Sequence, residues 1–69
     1  MADDPDLKAF GERVRALRVA GALTQEELAA QSDLSPTYIG YIENGHRNPS
    51  LKVIYKLAEG LGVPAAKLL

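Results

Sequence analysis

Two short helices joined by a tight turn are predicted within residues 24–44, which read TQEELAAQSDLSPTYIGYIEN. Thr24 is followed three residues later by Glu27, which is the capping-box pattern that begins a helix. Ser35 and Pro36 place a favoured N-cap residue before a proline at the first helical position, so a second helix begins there. Two helices with so short a connection form a helix-turn-helix, which places its second helix in the major groove of DNA.

Further helices are predicted on both sides of this pair by hydrophobic residues at helical spacing. Asp4 and Ser50 are suitable N-cap residues, whereas Gly21 and Gly45 end the segments that precede them. We therefore expect an all-α fold, a compact bundle of about five short helices, with residues 1–69 forming a single helix-turn-helix domain. The predicted helices span about Pro5–Ala20, Gln25–Gln31, Pro36–Glu43 and Leu51–Glu59, and a short last turn follows Pro64.

The size and composition of the chain limit its possible classes. The 69 residues suffice for one domain, and the absence of cysteine excludes disulfides and thiolate metal sites. No apolar run approaches the roughly 20 residues that span a bilayer, and the acidic start MADDPD is unlike a signal peptide. We therefore expect a cytoplasmic protein without a membrane partner.

The charge distribution permits a nucleic-acid partner, although the net charge of −1 argues mildly against one. Three aspartates lie within the first six residues. Residues 8–56 carry seven Lys and Arg against five Asp and Glu, a net charge of +2. Any binding of phosphate must therefore be local rather than spread over a broad basic face.

The sequence resembles the lambda-repressor/Cro-like helix-turn-helix proteins, also called the Xre family. The resemblance rests on the segments TQEELA, SPTYIGYIENG, RNPSL and KLAEGLGVP in this order, and it covers about Phe10 to Leu69. The segment PTYIG is similar to the core of restriction–modification controller proteins. The resemblance implies a lambda-repressor-like domain that binds operator DNA as a dimer. The chain departs from the family pattern at Asp33, where glycine is usual, at Ser32, where an apolar residue is common, and at Pro36, where a long polar base reader often lies.

Candidate DNA contacts follow from the predicted second helix and from the resemblance. Thr37 and Tyr41 should face away from the core and contact bases, and Tyr38 either contacts DNA or is a half-buried ring that supports the domain. The resemblance implies that Gln25 binds a phosphate and braces the second helix, and that Arg47 anchors the phosphate backbone. The full set of expected DNA contacts is Gln25, Ser35, Pro36, Thr37, Tyr38, Tyr41, Asn44, His46, Arg47 and Asn48.

Two structural expectations accompany this site. The resemblance implies a buried ion pair between Arg18 and Glu43, whereas Arg13 and Arg15 should be solvated charges on a helix face. The apolar residues near the end of the chain form either a lid on the core or the seam of a homodimer. The expected seam residues are Leu61, Val63, Leu68 and Leu69.

No pattern in the sequence indicates an enzyme. Glu26 and Glu27 are adjacent in a helix and point about 100° apart, so they do not converge on a substrate. Ser35 lacks a histidine base at a recognisable spacing, no glycine-rich phosphate loop occurs, and a lone His46 is not a metal site. We therefore expect no cofactor, no metal and no small-molecule ligand.

The sequence thus predicts a regulator of transcription that binds double-stranded operator DNA as a dimer and reads its sequence. Two alternatives remain. One is an antitoxin or adaptor that uses the same fold to bind a protein, and the other is the DNA-binding fragment of a longer repressor.

Overall fold

The computed structural model describes residues 4–69, which contain four α-helices and one 3-10 turn. Helix α1 spans Pro5–Ala20, α2 spans Gln25–Ser32, α3 spans Pro36–Glu43, α4 spans Leu51–Leu61, and the 3-10 turn spans Ala65–Leu68. The all-α expectation is confirmed, but the count of about five helices is wrong, because the last segment forms only a single turn. Its hydrogen bonds run over three residues, from Lys67 N–H to Pro64 O and from Leu69 N–H to Ala66 O.

The helices begin where the polar caps of the sequence place them. The Thr24 hydroxyl accepts the Glu27 N–H at 3.0 Å, and the Glu27 carboxylate accepts the Thr24 N–H at 2.8 Å, which completes the capping box. Ser35 Oγ accepts the Tyr38 N–H at 3.1 Å, so α3 begins at the proline that follows this serine. These local bonds determine where α2 and α3 begin, and they do not depend on tertiary contacts.

The turn between α2 and α3 is tight and left-handed. Asp33 takes φ 55° and ψ 46°, a conformation that glycine adopts more readily but that aspartate tolerates. The Leu34 N–H then donates to Ala29 O at 3.0 Å, which ends α2 and redirects the chain into α3. The turn therefore keeps its geometry although the usual glycine is absent.

The hydrophobic core lies where all four helices meet. Helix α2 packs against both α3 and α4, while α1 packs against α3. The largest fully buried side chains are Leu28, Ile39, Ile42, Leu57, Leu68 and Val14. Leu68 has no exposed surface, so its assignment to a dimer seam is wrong: the 3-10 turn directs this side chain into the core of its own chain.

Two glycines allow helices to approach closely. A Cβ on Gly11 would overlap the carbonyl oxygen of Ile42 and lie 2.7 Å from that of Glu43, so α1 crosses the end of α3 at this point. Gly60, which the sequence places at the end of a helix, instead lies buried inside α4 against the Ser32 side chain. Helix α4 consequently runs two residues beyond the predicted end at Glu59.

Arg13 is not simply a solvated charge. Its Nη1 donates to the carbonyl oxygen of Leu68 at 2.9 Å, so it ties α1 to the 3-10 turn.

Among residues 4–69, no helix is both long enough and apolar enough to cross a bilayer.

Candidate nucleic-acid interface

Helix α3 has a buried face and an exposed face. Ile39 and Ile42 are completely or almost completely buried, whereas Thr37 and Tyr41 are exposed. Because successive residues turn by about 100°, the two pairs lie on different sides of the helix. Tyr38 is half-buried and packs against the core, which agrees with the supporting-ring alternative for this residue. The exposed face of α3 therefore presents a short polar and aromatic surface to solvent.

A buried network holds α3 in place. Glu43 accepts Arg18 Nε at 2.6 Å through Oε2, and its Oε1 accepts Arg18 Nη2 and Gln25 Nε2 at 3.1 Å each. Arg18 Nη1 also donates to the Leu23 carbonyl oxygen at 2.9 Å. The Glu43 side chain is only 1% exposed. One carboxylate thus joins α1, α2 and α3, and every one of its hydrogen bonds comes from a side chain of another helix.

Within this network, the pKa of Arg18 is raised. Hydrogen bonds from Arg18 to Glu43 raise the pKa of the guanidinium above its ordinary value, partial burial acts in the opposite direction, and the negative charges of Glu43 and Glu26 raise it further. A group whose pKa is raised on folding stabilises the fold fully below its unfolded pKa and loses that contribution only above its folded pKa. Because arginine already titrates at very high pH, its contribution persists throughout the neutral and moderately alkaline range.

The loop after α3 returns toward that helix. Gly45 has φ +75°, its N–H donates to Ile42 O at 3.0 Å, and the His46 N–H donates to Tyr41 O at 2.8 Å. The chain therefore reverses, and Cζ of Arg47 lies 4.8 Å from the centroid of the Tyr41 ring. No pattern in the sequence predicts this contact, because the two residues are six apart and no helical spacing links them.

The expected DNA contacts form two groups by exposure. Gln25 and Tyr38 are half-buried, and Gln25 already donates to Glu43, so its amide braces α3. The remaining eight are exposed, on α3 or in the segments that flank it: Ser35, Pro36, Thr37, Tyr41, Asn44, His46, Arg47 and Asn48. Ser35 uses its hydroxyl as a cap, whereas Thr37 makes no side-chain hydrogen bond within residues 4–69. This surface combines the Arg47 guanidinium with hydroxyl, amide and aromatic groups, which suits the grooves and phosphates of a nucleic acid.

The fold and this surface define a helix-turn-helix protein, and comparisons with known proteins agree. The sequence model described as Helix-turn-helix matches residues 14–68, so the chain belongs to the helix-turn-helix family of transcriptional regulators. Within that family it is similar to control protein C.BamHI of Bacillus amyloliquefaciens, with 46% identity over 61 residues that cover 87% of this chain and 75% of the relative.

Two further comparisons give the same result. The HTH-type transcriptional regulator y4dJ of Sinorhizobium fredii is 41% identical over 61 residues, which cover 88% of this chain and 79% of the relative. The crystal structure of the restriction-modification controller protein C.AhdI from Aeromonas hydrophila matches with a TM-score of 0.94 at 45% identity, covering 96% of this chain and 100% of that chain. The chain is therefore similar to the controller proteins in fold and along nearly its whole described length.

Proposed function

We propose that this protein is a transcriptional regulator of the controller type, which binds double-stranded operator DNA in the cytoplasm with α3 in the major groove. The observation that carries the proposal is the exposed face of α3, which presents Thr37 and Tyr41 beside the cation of Arg47 while Glu43 fixes the helix from behind. A rigid helix with a short polar face is the usual form of a major-groove reader.

The proposed contacts divide into base reading and backbone anchoring. The Thr37 hydroxyl can bond a base edge and its methyl group can contact the methyl of thymine. Arg47, together with the amides of Asn44 and Asn48, suits phosphate oxygens. Pro36 lacks an N–H and offers only an apolar contact, so few side chains read bases. We infer that DNA shape contributes to the choice of operator.

Fluorescence anisotropy on two duplexes of equal length tests this division. One duplex is selected by the protein from a random pool, and the other is its scrambled sequence. Thr37→Ala should cost roughly 1–3 kcal/mol of binding free energy on the selected duplex and less on the scrambled one. Arg47→Ala should weaken both equally and reduce the salt slope by about one.

Arg15→Ala is the matched control for the loss of a positive charge, because Arg15 is exposed on the outer face of α1 beside Val19. Base reading by α3 is refuted if Thr37→Ala loses the same free energy on both duplexes. Phosphate anchoring is refuted if Arg47→Ala and Arg15→Ala have equal salt slopes. An antitoxin or adaptor that uses this fold only to bind a protein would select no duplex from the pool.

We further propose that two copies act together on a two-fold site. Because α3 offers few readers, one domain should bind weakly, whereas two domains about 34–36 Å apart can read two half-sites. The exposed apolar groups that suit a seam are Leu51 and Tyr55, one turn apart near the start of α4, and Leu69. Leu61 and Val63 lie at the other end of α4 and are half-buried. A two-fold contact would place this surface against itself.

Sedimentation at tens of micromolar tests the seam. The parent should sediment as a dimer, and Tyr55→Glu should sediment as a monomer because it places a charge in an apolar contact. Val19→Glu changes an equally exposed apolar residue on α1 and should leave the dimer intact. A monomeric parent that also binds a palindromic duplex with one chain per site would refute the assembly.

A further inference from the structure

We propose that Tyr41 acts as a positioning residue, whose ring holds the Arg47 guanidinium ready for a phosphate before DNA arrives. This inference rests on the function proposed above and assigns Tyr41 a role other than direct base reading. Its basis is the cation–π contact itself, in which Cζ of Arg47 lies over the Tyr41 ring, 4.8 Å from the ring centroid. Both side chains are exposed, so burial does not force the contact.

The backbone brings the two residues together. The His46 N–H donates to the carbonyl oxygen of Tyr41 itself at 2.8 Å, which ties the start of the loop to the residue that carries the ring. Gly45 makes this reversal possible, because its φ is +75° and a Cβ there would lie 3.0 Å from Cα of Lys8. Arg47 therefore emerges beside Tyr41 on a fixed path.

The ring can order this arginine in a way that the loop alone cannot. Tyr41 stands on a helix anchored by Ile39, Ile42 and the Glu43 network, so the ring has little freedom beyond two side-chain torsions. The Arg47 side chain makes one hydrogen bond within residues 4–69, a long 3.4 Å bond from Nη1 to the carbonyl oxygen of His46. A long arginine side chain loses much rotamer freedom on binding, and fixing it beforehand reduces that loss.

The contact with the ring leaves most N–H donors of the guanidinium available. An arginine carries five N–H donors, and within residues 4–69 only Nη1 of Arg47 makes a hydrogen bond. A phosphate oxygen can therefore accept from the remaining donors while the ring stays beside the guanidinium. An exposed cation–π contact changes an equilibrium by about two- to fivefold, which is the size of effect expected here for each domain.

The two possible roles of Tyr41, positioning Arg47 with its ring or reading a base with its hydroxyl, predict different results for Tyr41→Leu. If the ring positions Arg47, Tyr41→Leu weakens binding to the selected and scrambled duplexes by the same factor of about two to five. It should have no further effect once Arg47 is alanine. Tyr41→Phe keeps the ring and removes the hydroxyl, so it should bind both duplexes as the parent does. If the hydroxyl reads a base, Tyr41→Phe instead loses affinity for the selected duplex alone.

The test is a double-mutant cycle with the parent, Tyr41→Leu, Arg47→Ala and the double variant on both duplexes, with Tyr41→Phe as the matched control. A second measurement is made without DNA: stacking shifts the NMR signals of the Arg47 side-chain protons upfield through the ring current. That shift should be present in the parent and in Tyr41→Phe and absent in Tyr41→Leu. Circular dichroism on each variant verifies the fold.

The outcomes separate the two proposals. The positioning role is supported if Tyr41→Leu loses equal affinity on both duplexes, the cycle shows coupling with Arg47, and the ring-current shift is present. The positioning role of Tyr41 is overturned if the effects in the cycle are additive, or if Tyr41→Leu binds both duplexes with the affinity of the parent. In either case the proposed function stands as long as the parent binds duplex DNA. If the parent binds no duplex, the proposed function fails and this role for Tyr41 fails with it.

Discussion

Replacing Glu43 by alanine should strongly destabilise the fold. The carboxylate accepts three hydrogen bonds, at 2.6 Å and 3.1 Å from Arg18 and at 3.1 Å from Gln25, and its side chain is 1% exposed. Removing it leaves the guanidinium of Arg18, itself only 12% exposed, without its paired carboxylate. Breaking a buried pair from one side costs roughly 3–5 kcal/mol.

This loss is large relative to the stability of so small a chain. At roughly 0.05–0.15 kcal/mol per residue, a domain of this length is stable by only about 3–10 kcal/mol. The measurement is therefore urea unfolding at low temperature, followed by far-ultraviolet circular dichroism. Glu59→Ala removes an exposed glutamate from α4 and should stay within about 0.5 kcal/mol of the parent. The buried network has no role in stability if Glu43→Ala behaves in the same way.

A double replacement tests whether the stranded charge and the lost packing carry the cost. In the variant with Arg18→Met and Glu43→Leu, both charges are replaced by apolar groups of similar size. Such exchanges are often neutral or stabilising. The double variant should therefore be clearly more stable than Glu43→Ala. A double variant that is no more stable would show that the cost comes from the lost hydrogen bonds of the network rather than from an unpaired arginine.

Three further substitutions test individual features through the free energy of unfolding in urea. Gly11→Ala should cost about 1–3 kcal/mol because the added Cβ meets the backbone of α3, whereas Gly21→Ala adds only an ordinary contact at 3.4 Å and should cost much less. Ala22→Gly should stabilise by about 0.5–1 kcal/mol, since Ala22 has φ 58°; an unchanged or lower stability would mean that this conformation is not strained. Ser32→Ala should stabilise by about 1 kcal/mol because the buried Ser32 hydroxyl has no partner within residues 4–69, and a loss would reveal an unrecognised bond.

Helix starts were predictable because their signals are local. Thr24 with Glu27, and Ser35 with Pro36, begin α2 and α3 where the sequence places them. Asp33 takes a left-handed conformation at the position where the family usually has glycine. Each of these signals depends on hydrogen bonds between residues no more than three or four apart, so it can be seen without knowledge of tertiary structure.

Contacts between distant residues were harder to predict. Gly11 lies against the end of α3. Nothing in the sequence of α1 shows that this glycine is needed for a close approach between two helices. Leu68 is an apolar residue that must be covered, but the sequence pattern cannot decide whether the same chain or a second copy covers it. The contact of Tyr41 with Arg47 likewise depends on how the loop reverses at Gly45.

The most direct test of the central claim is a titration of the isotopically labelled protein with a selected duplex, followed by amide chemical shifts in NMR. If α3 occupies the major groove, the largest changes should occur at Thr37, Tyr41 and Arg47, and the outer face of α1 around Arg15 and Val19 should change little. Large changes on that outer face with unchanged signals along α3 would contradict the account.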